Sequence, residues 1–300
     1  MLDEHIPNSL IARYYGVNVV HSDGSVWRRY RFTLDVLGKA AFGIDFNSRG
    51  IGYKFDKIIE PKLEDLVNGN TESNRKDLLD LMLKACEDPE NQNLTNTELR
   101  HNLGVFMLAG HDTTASSLVT VLYLLAAHKD VQQKAREEIL TVLDDDLTPS
   151  AEQHRSLKYL NMIIYENLRL YPQIAILPAR VTTKDIECCG NVITTGACIQ
   201  IFIYGIHHSS KFWKNPEEFL PERFENESEE SGSWFGFGGG FRKCLGYMIE
   251  QRIVLCLLLR KYEISLTSNS IHKDGLKIDM AYSGTMSPIP VGLLFKRRSE

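Results

Sequence analysis

The stretch from Thr95 to about Lys129 constrains this chain more than any other. It contains no proline, and Leu118 to Ala127 is apolar on nearly every face. A helix that is apolar all round cannot lie on a surface, so other elements must enclose it. Its start is legible as well. Thr95-x-x-Glu98 has the form of a capping box, and Leu99, Leu103, Phe106 and Gly110 follow at helical spacing. A long central helix dictates a large core, which a chain of 300 residues, 43% of them hydrophobic, can supply.

The flanking pattern predicts more helix. A charged helix is expected over roughly Asp130 to Leu143, and Leu147-Thr148-Pro149-Ser150 closes that unit, with Ser150-x-x-Gln153 as the next cap. A third helix is expected from about Leu157 to Leu170, ending before Pro172. Between Arg180 and Gln200, β-branched residues are broken by Cys189-Gly190-Asn191 and Thr195-Gly196, the texture of short strands and turns. Asn215 to Gly246 has little periodicity and much Pro, Gly, Glu and Ser. A long irregular segment inside a domain is usually functional. A last helix is expected over Leu245 to Tyr262, followed by weakly strand-like residues. The fold class is therefore mainly α with a small β portion, and composition leaves one large domain or two smaller ones open.

Composition excludes some partners. A formal net charge of -5 gives no reason to expect nucleic acid, and the cluster Arg28, Arg29 and Arg31 reads as a solvated helix face. No apolar run reaches the ~18–20 residues needed to cross a bilayer, and the first residues lack the apolar core of a signal peptide. Taken literally, the chain reads as soluble. Six cysteines (Cys86, Cys188, Cys189, Cys198, Cys244 and Cys256) show neither a C-x-x-C pair nor zinc-finger spacing, and are too few for a disulfide scaffold.

One cysteine stands apart by its neighbours. Phe237-Gly238-Gly239-Gly240-Phe241-Arg242-Lys243-Cys244-Leu245-Gly246 places it between glycines, directly before a helix. Glycines permit positive φ and the approach of a flat ligand to the backbone. Amides of a tight turn and a helix N-terminus stabilise a thiolate, and Arg242 suits a carboxylate. Considered alone, the segment equally describes a glycine-rich turn with a buried free thiol.

The same segment fits F-x-x-G-x-R-x-C-x-G at every fixed position, and so resembles the haem-binding loop of the cytochrome P-450 monooxygenases. The resemblance makes Cys244 the axial ligand of haem iron, with Phe237, Arg242 and Gly246 beside the cofactor. Such a thiolate pushes electron density onto the iron and favours O–O cleavage.

Further stretches extend the resemblance. Ala109-Gly110-His111-Asp112-Thr113-Thr114 lies within the central helix, where a glycine costs ~1 kcal/mol relative to alanine and needs a reason. It resembles the family's oxygen-activation motif, which makes Thr113 the hydrogen-bonding partner of dioxygen and Asp112 a proton relay, with Phe106, Ala109 and Gly110 facing substrate. Glu166-x-x-Arg169 and Pro221-Glu222-Arg223-Phe224 resemble motifs that unite Glu166, Arg169 and Arg223 in a buried structural triad. Arg180 matches a basic ligand of a haem propionate, and Ile174, Ile176 and Leu177 match a segment passing the substrate, although core packing explains those three equally well. Trp27-x-x-x-Arg31 resembles a helix whose Trp and Arg contact the other propionate. His207-His208 reads as surface or core histidines, because adjacent residues rarely ligate one ion.

The resemblance is strong from about Arg75 onward and broken before it. Gly16 to Arg31 looks like the entry to the Trp-containing helix, Phe32 to Ser48 like a later helix, and Ile51 to Asn70 like a replacement for a longer roof over the substrate. The resemblance implies a single domain over residues 1–300. The chain is thus expected to hold an incomplete cytochrome P-450 fold, truncated at the N-terminus where microsomal members carry an anchor, and with internal gaps. Gly236 stands where many members have proline. The resemblance implies a haem-thiolate monooxygenase of microsomal, eukaryotic, fungal-like type. It would insert one oxygen atom from dioxygen into a small lipophilic substrate, with electrons from NADPH through a separate reductase at the endoplasmic reticulum membrane. A rearranging or peroxide-using relative is a second reading, against which Asp112-Thr113 argues. A truncated, inactive haem-binding remnant is a third, and the gaps favour it.

Overall fold

The computed structural model describes residues 18–20, 26–27, 78–87, 95–144, 146, 149–225, 232–244, 246, 249–279 and 285–298. In chain order these form strands β1 (Asn18–Val20) and β2 (Val26–Trp27), then helices α1 (Leu78–Glu87), α2 (Asn96–Ala127), α3 (Lys129–Leu143), α4 (Gln153–Ser156) and α5 (Lys158–Leu170). Four short strands follow: β3 (Arg180–Val181), β4 (Ile186–Cys188), β5 (Asn191–Ile193) and β6 (Cys198–Ile199). Helix α6 (Ile203–His207) leads to two 3-10 turns, Pro221–Phe224 and Gly240–Arg242. Helix α7 (Ile249–Lys261) precedes strands β7 (Tyr262–Leu266), β8 (Ile278–Asp279), β9 (Ser287–Pro288) and β10 (Gly292–Arg297). The architecture is mainly α with small sheets, as the sequence pattern predicts.

The chain divides into two compact units, Met1–Val17 with Trp27–Ala115, and Asn18–Val26 with Ser116–Glu300. In the first, Leu79 and Leu83 of α1 and Leu99 and Leu103 of α2 are buried pairs at i, i+4 spacing. The expected capping box is closed. The Glu98 amide donates to Thr95 Oγ1 at 3.2 Å, and the Thr95 amide donates to the Glu98 carboxylate at 2.7 Å. These two bonds satisfy donors that a helix start leaves open.

In the second unit the remainder of α2 is the core. Ser116 to Ala126 is buried throughout, and its polar side chains find local partners. Thr120 donates to the Ser117 carbonyl at 2.9 Å, and Asn167 of α5 reaches the same carbonyl at 3.2 Å. The helix ends at Ala127, two residues before the expected boundary, because the φ of -115° and ψ of 87° at His128 leave helical space. Buried Gln132 of α3 ties helix to sheet, donating to the Leu125 and Ile264 carbonyls and accepting from the Ile264 amide at 2.9 Å. Glu138 of α3 caps α5 in trans, taking the Tyr159 and Leu160 amides at 2.7 and 2.9 Å.

The largest sheet among the described residues runs β2-β1-β10-β7. Strand β1 is parallel to β10, with Asn18 beside Gly292, and β10 is antiparallel to β7, with Leu293 opposite Leu266. The backbone of Trp27 falls on β2, which corrects the expectation of a helix entry there. The β-branched Val19, Val20 and Val26 flank it, and pairing of β1 with β10 overrides the helical reading. Arg31, the segments 32–48 and 51–70, and the side chains of Trp27 and His111 lie outside the described residues. Among the described residues no helix is long and apolar enough to cross a membrane.

Candidate functional site

Helical spacing places Glu166 and Arg169 on one face of α5, and both side chains are fully buried. Arg169 grips the carboxylate with two bonds, Nε to Oε2 at 2.7 Å and Nη2 to Oε1 at 2.9 Å. Its remaining donors meet the carbonyls of His207 and Pro216, both at 2.7 Å, and of Glu218 at 3.2 Å. Arg223, from the first 3-10 turn, adds a bond from Nε to Glu166 Oε1 at 3.0 Å, and the Leu220 amide donates to the same oxygen at 3.0 Å. The Trp213 ring packs beneath both guanidinium groups, 5.3 and 6.0 Å from their centres. A buried charge persists only when paired and hydrogen-bonded. Here the irregular segment after α6 turns its carbonyls onto the two arginines, which explains why it has no regular ladder of its own. The structure therefore brings Glu166, Arg169 and Arg223 together.

His207 connects this cluster to the cysteine loop. Its Nδ1 lies 3.1 Å from the Arg169 carbonyl, and its Nε2 lies 2.8 Å from the Phe235 amide. An amide can only donate, so Nε2 accepts, and Nδ1 carries the proton given to Arg169. Burial pushes the His207 pKa down to about 4. The ring is consequently neutral near pH 7, the form that both bonds require. Trp234 is the second anchor. Its indole N–H donates to the Tyr165 carbonyl of α5 at 3.2 Å, and its ring meets those of Tyr165 and Phe237 edge-on at 5.1 and 5.9 Å. A side chain at Gly236 would meet the Trp234 ring at 2.5 Å, so the indole needs glycine there.

From those anchors the loop closes on Cys244. The Cys244 amide donates to the Phe237 carbonyl at 2.9 Å, and the Lys243 amide to the Gly240 carbonyl at 3.1 Å. Gly238 and Gly240 adopt φ of 72° and 66°, which side chains resist. Cys244 is exposed, and its Sγ accepts the Gly246 amide at 3.3 Å. Cys256 is the contrast, a buried thiol pushed up to about 12 by loss of solvent.

The residues present fit haem. Arg242 and Arg180 are exposed, and neither makes an ion pair with another described residue, which leaves both for the carboxylates of propionates. Phe241 is fully exposed beside the cysteine, and Ile176 and Phe202, joined by a β-bridge, are 45% and 51% exposed. A solvent-facing thiol, exposed guanidinium groups and uncovered apolar side chains suit a flat, apolar, dianionic cofactor held through sulfur.

The remaining expected residues are placed as follows. Thr113 donates its hydroxyl to the Ala109 carbonyl at 2.7 Å, one turn back on α2. Ala109 is exposed there, and Phe106, Gly110 and Asp112 are half-buried. Ile174 bridges Thr285, and the Leu177 amide donates to the Ile201 carbonyl at 3.0 Å, so this segment runs extended between two others. Ala175 is buried, while Ile176 is open. Of the three named residues, Ile174 and Leu177 are half-buried. Sequence reasoning missed His207, Trp213 and Trp234 as parts of this site. Their signal was weak, since aromatic residues in an irregular segment show no period. A structural role for His207 becomes visible only once Arg169 and Phe235 are adjacent in space.

Comparison with known proteins gives a consistent picture. A family model described as "Cytochrome P450" matches residues 50–280. Human "Cytochrome P450 3A7" is 35% identical over 201 residues, 64% of this chain and 40% of that protein. Rat "Cytochrome P450 4A10" is 35% identical over 218 residues, 70% of this chain and 43% of its own length. Pig "Taurochenodeoxycholic 6 alpha-hydroxylase" is 36% identical over 193 residues, 63% of this chain and 38% of its own. The chain spans about two fifths of the length of these curated relatives.

Proposed function

The chain belongs to the cytochrome P450 family, and from that premise we propose that it is a haem-thiolate monooxygenase whose iron is ligated by Cys244. The observation that carries this reading is the exposed Cys244 sulfur, on a loop tied through His207 to a buried charged cluster. Haem, when bound, supplies the activation of dioxygen and the insertion of one oxygen atom into a small lipophilic substrate. The protein's own residues do the rest. The Gly246 amide donates to the Cys244 sulfur, and the Glu166–Arg169–Arg223 cluster fixes the backbone behind it. Arg242 and Arg180 would hold a propionate carboxylate, and the family resemblance assigns Trp27 and Arg31 to the other propionate.

On α2, Thr113 gives or takes a proton through a hydroxyl that now rests on the Ala109 carbonyl. A rotation of χ1 frees it, and Asp112 passes protons to it from water. The family resemblance makes Phe106, Ala109 and Gly110 of α2, and separately Ile174, Ile176 and Leu177, the residues that would face substrate. Electrons come from NADPH through a separate reductase, and the endoplasmic reticulum membrane is the setting in which both partner and substrate concentrate.

The test is turnover by the haem-loaded chain with NADPH, a microsomal reductase and isotopically labelled dioxygen, offered lipophilic steroids and fatty acids. One labelled oxygen atom in the product, lost in Cys244→Ser and uncoupled from NADPH use in Thr113→Ala, is the expected result. Haem uptake without labelled product would reduce the chain to a haem-binding protein and refute the oxygenase reading.

A further inference from the structure

The β4–β5 hairpin carries a second arrangement of sulfur that the haem loop does not use. Successive side chains on a strand point to opposite faces, so neighbouring cysteines ordinarily hold their thiols apart. Here Cys188 ends β4 opposite Asn191, which leaves Cys189 and Gly190 as the two turn residues. Their φ values, 53° and 76°, are both positive, as a type I′ hairpin requires. A cysteine in that conformation is strained where glycine would not be. The left-handed backbone swings the Cys189 side chain round until its sulfur lies 4.0 Å from that of Cys188, whose thiol donates to it. Both side chains are exposed.

The pair has two thiols in contact but a poor route to closing on itself. Adjacent Cα atoms stand ~3.8 Å apart across a trans peptide, short of the roughly 4.4 Å at which disulfides begin. A single atom that accepts two sulfurs avoids that constraint, because two longer bonds then share the bridging. We propose that Cys188 and Cys189 form a chelating site for trivalent arsenicals that carry one organic group. The step balances without an oxidant. In phenylarsine oxide the As=O group is lost, two As–S bonds form, both thiol protons leave with the oxygen as one water, and arsenic stays trivalent. After the first bond forms, the second thiol reacts intramolecularly, so the cyclic product resists exchange with free monothiols.

The full-length chain is treated with phenylarsine oxide, challenged with excess glutathione and read by intact mass. The expected result is one retained adduct per chain, heavier by one phenylarsine oxide less one water, and removed by 2,3-dimercaptopropanol. Cys188→Ser and Cys189→Gly, the latter well suited to the positive φ, should each lower retention by about 10²-fold or more. Cys198→Ser should leave it unchanged. Release of the wild-type adduct by glutathione overturns the proposal, as does retention in the double variant lacking both hairpin thiols.

Discussion

Replacement of His207 by leucine isolates the link between the charged cluster and the cysteine loop. The imidazole is fully buried and makes two bonds, to the Arg169 carbonyl and from the Phe235 amide. Leucine fills a similar volume but satisfies neither group. Each buried orphan costs about 1–3 kcal/mol, so His207→Leu should lose about 2–6 kcal/mol at pH 7. The pH dependence sharpens the test. The folded pKa is lowered, to about 4 from 6.5, so the unfolded chain binds the proton more readily in between. Stability from neutral His207 is therefore fully present above pH 6.5 and lost as pH falls toward 4. At ~1.4 kcal/mol per unit, that loss amounts to about 3 kcal/mol. The leucine variant has no such group, so its deficit against wild type should shrink by about that amount between pH 7 and pH 4. Urea unfolding across this range, followed by far-UV circular dichroism, measures both curves. A deficit that stays constant with pH would refute the neutral, doubly bonded histidine.

Two further substitutions probe the same frame. Glu166→Gln removes the carboxylate that two arginines share, strands their charge, and should cost ~3–5 kcal/mol in urea unfolding. Arg223→Lys keeps the charge on a side chain that is 10% exposed, and should cost less. Gly236→Ala forces the Trp234 indole out of its place against Tyr165, at about 1–3 kcal/mol. Its check is tryptophan fluorescence, which should shift to the red as the ring gains solvent.

The elements with a strong period were legible in the sequence. Leu118 to Ala127 could only be a buried helix, and Thr95 with Glu98 marked where it began. The fixed spacing of Phe237, Gly240, Arg242 and Cys244 likewise singled out one cysteine among six. What escaped depends on contacts distant in sequence. The Arg169 donors end on carbonyls of His207, Pro216 and Glu218, and no local pattern encodes a carbonyl's direction. Helix α1 repeats apolar residues at helical spacing (Leu78, Leu79, Met82, Leu83, Cys86), so its period is legible although it carries no motif. Trp27 was misplaced because strand pairing, a tertiary effect, decided its backbone.

The claim that matters most is thiolate ligation by Cys244, and the ferrous carbon-monoxide difference spectrum of the haem-loaded chain addresses it directly. A strongly red-shifted Soret band, absent in Cys244→Ala, is the predicted result. A band at the position given by histidine or a protonated thiol, or one unchanged in Cys244→Ala, would contradict it.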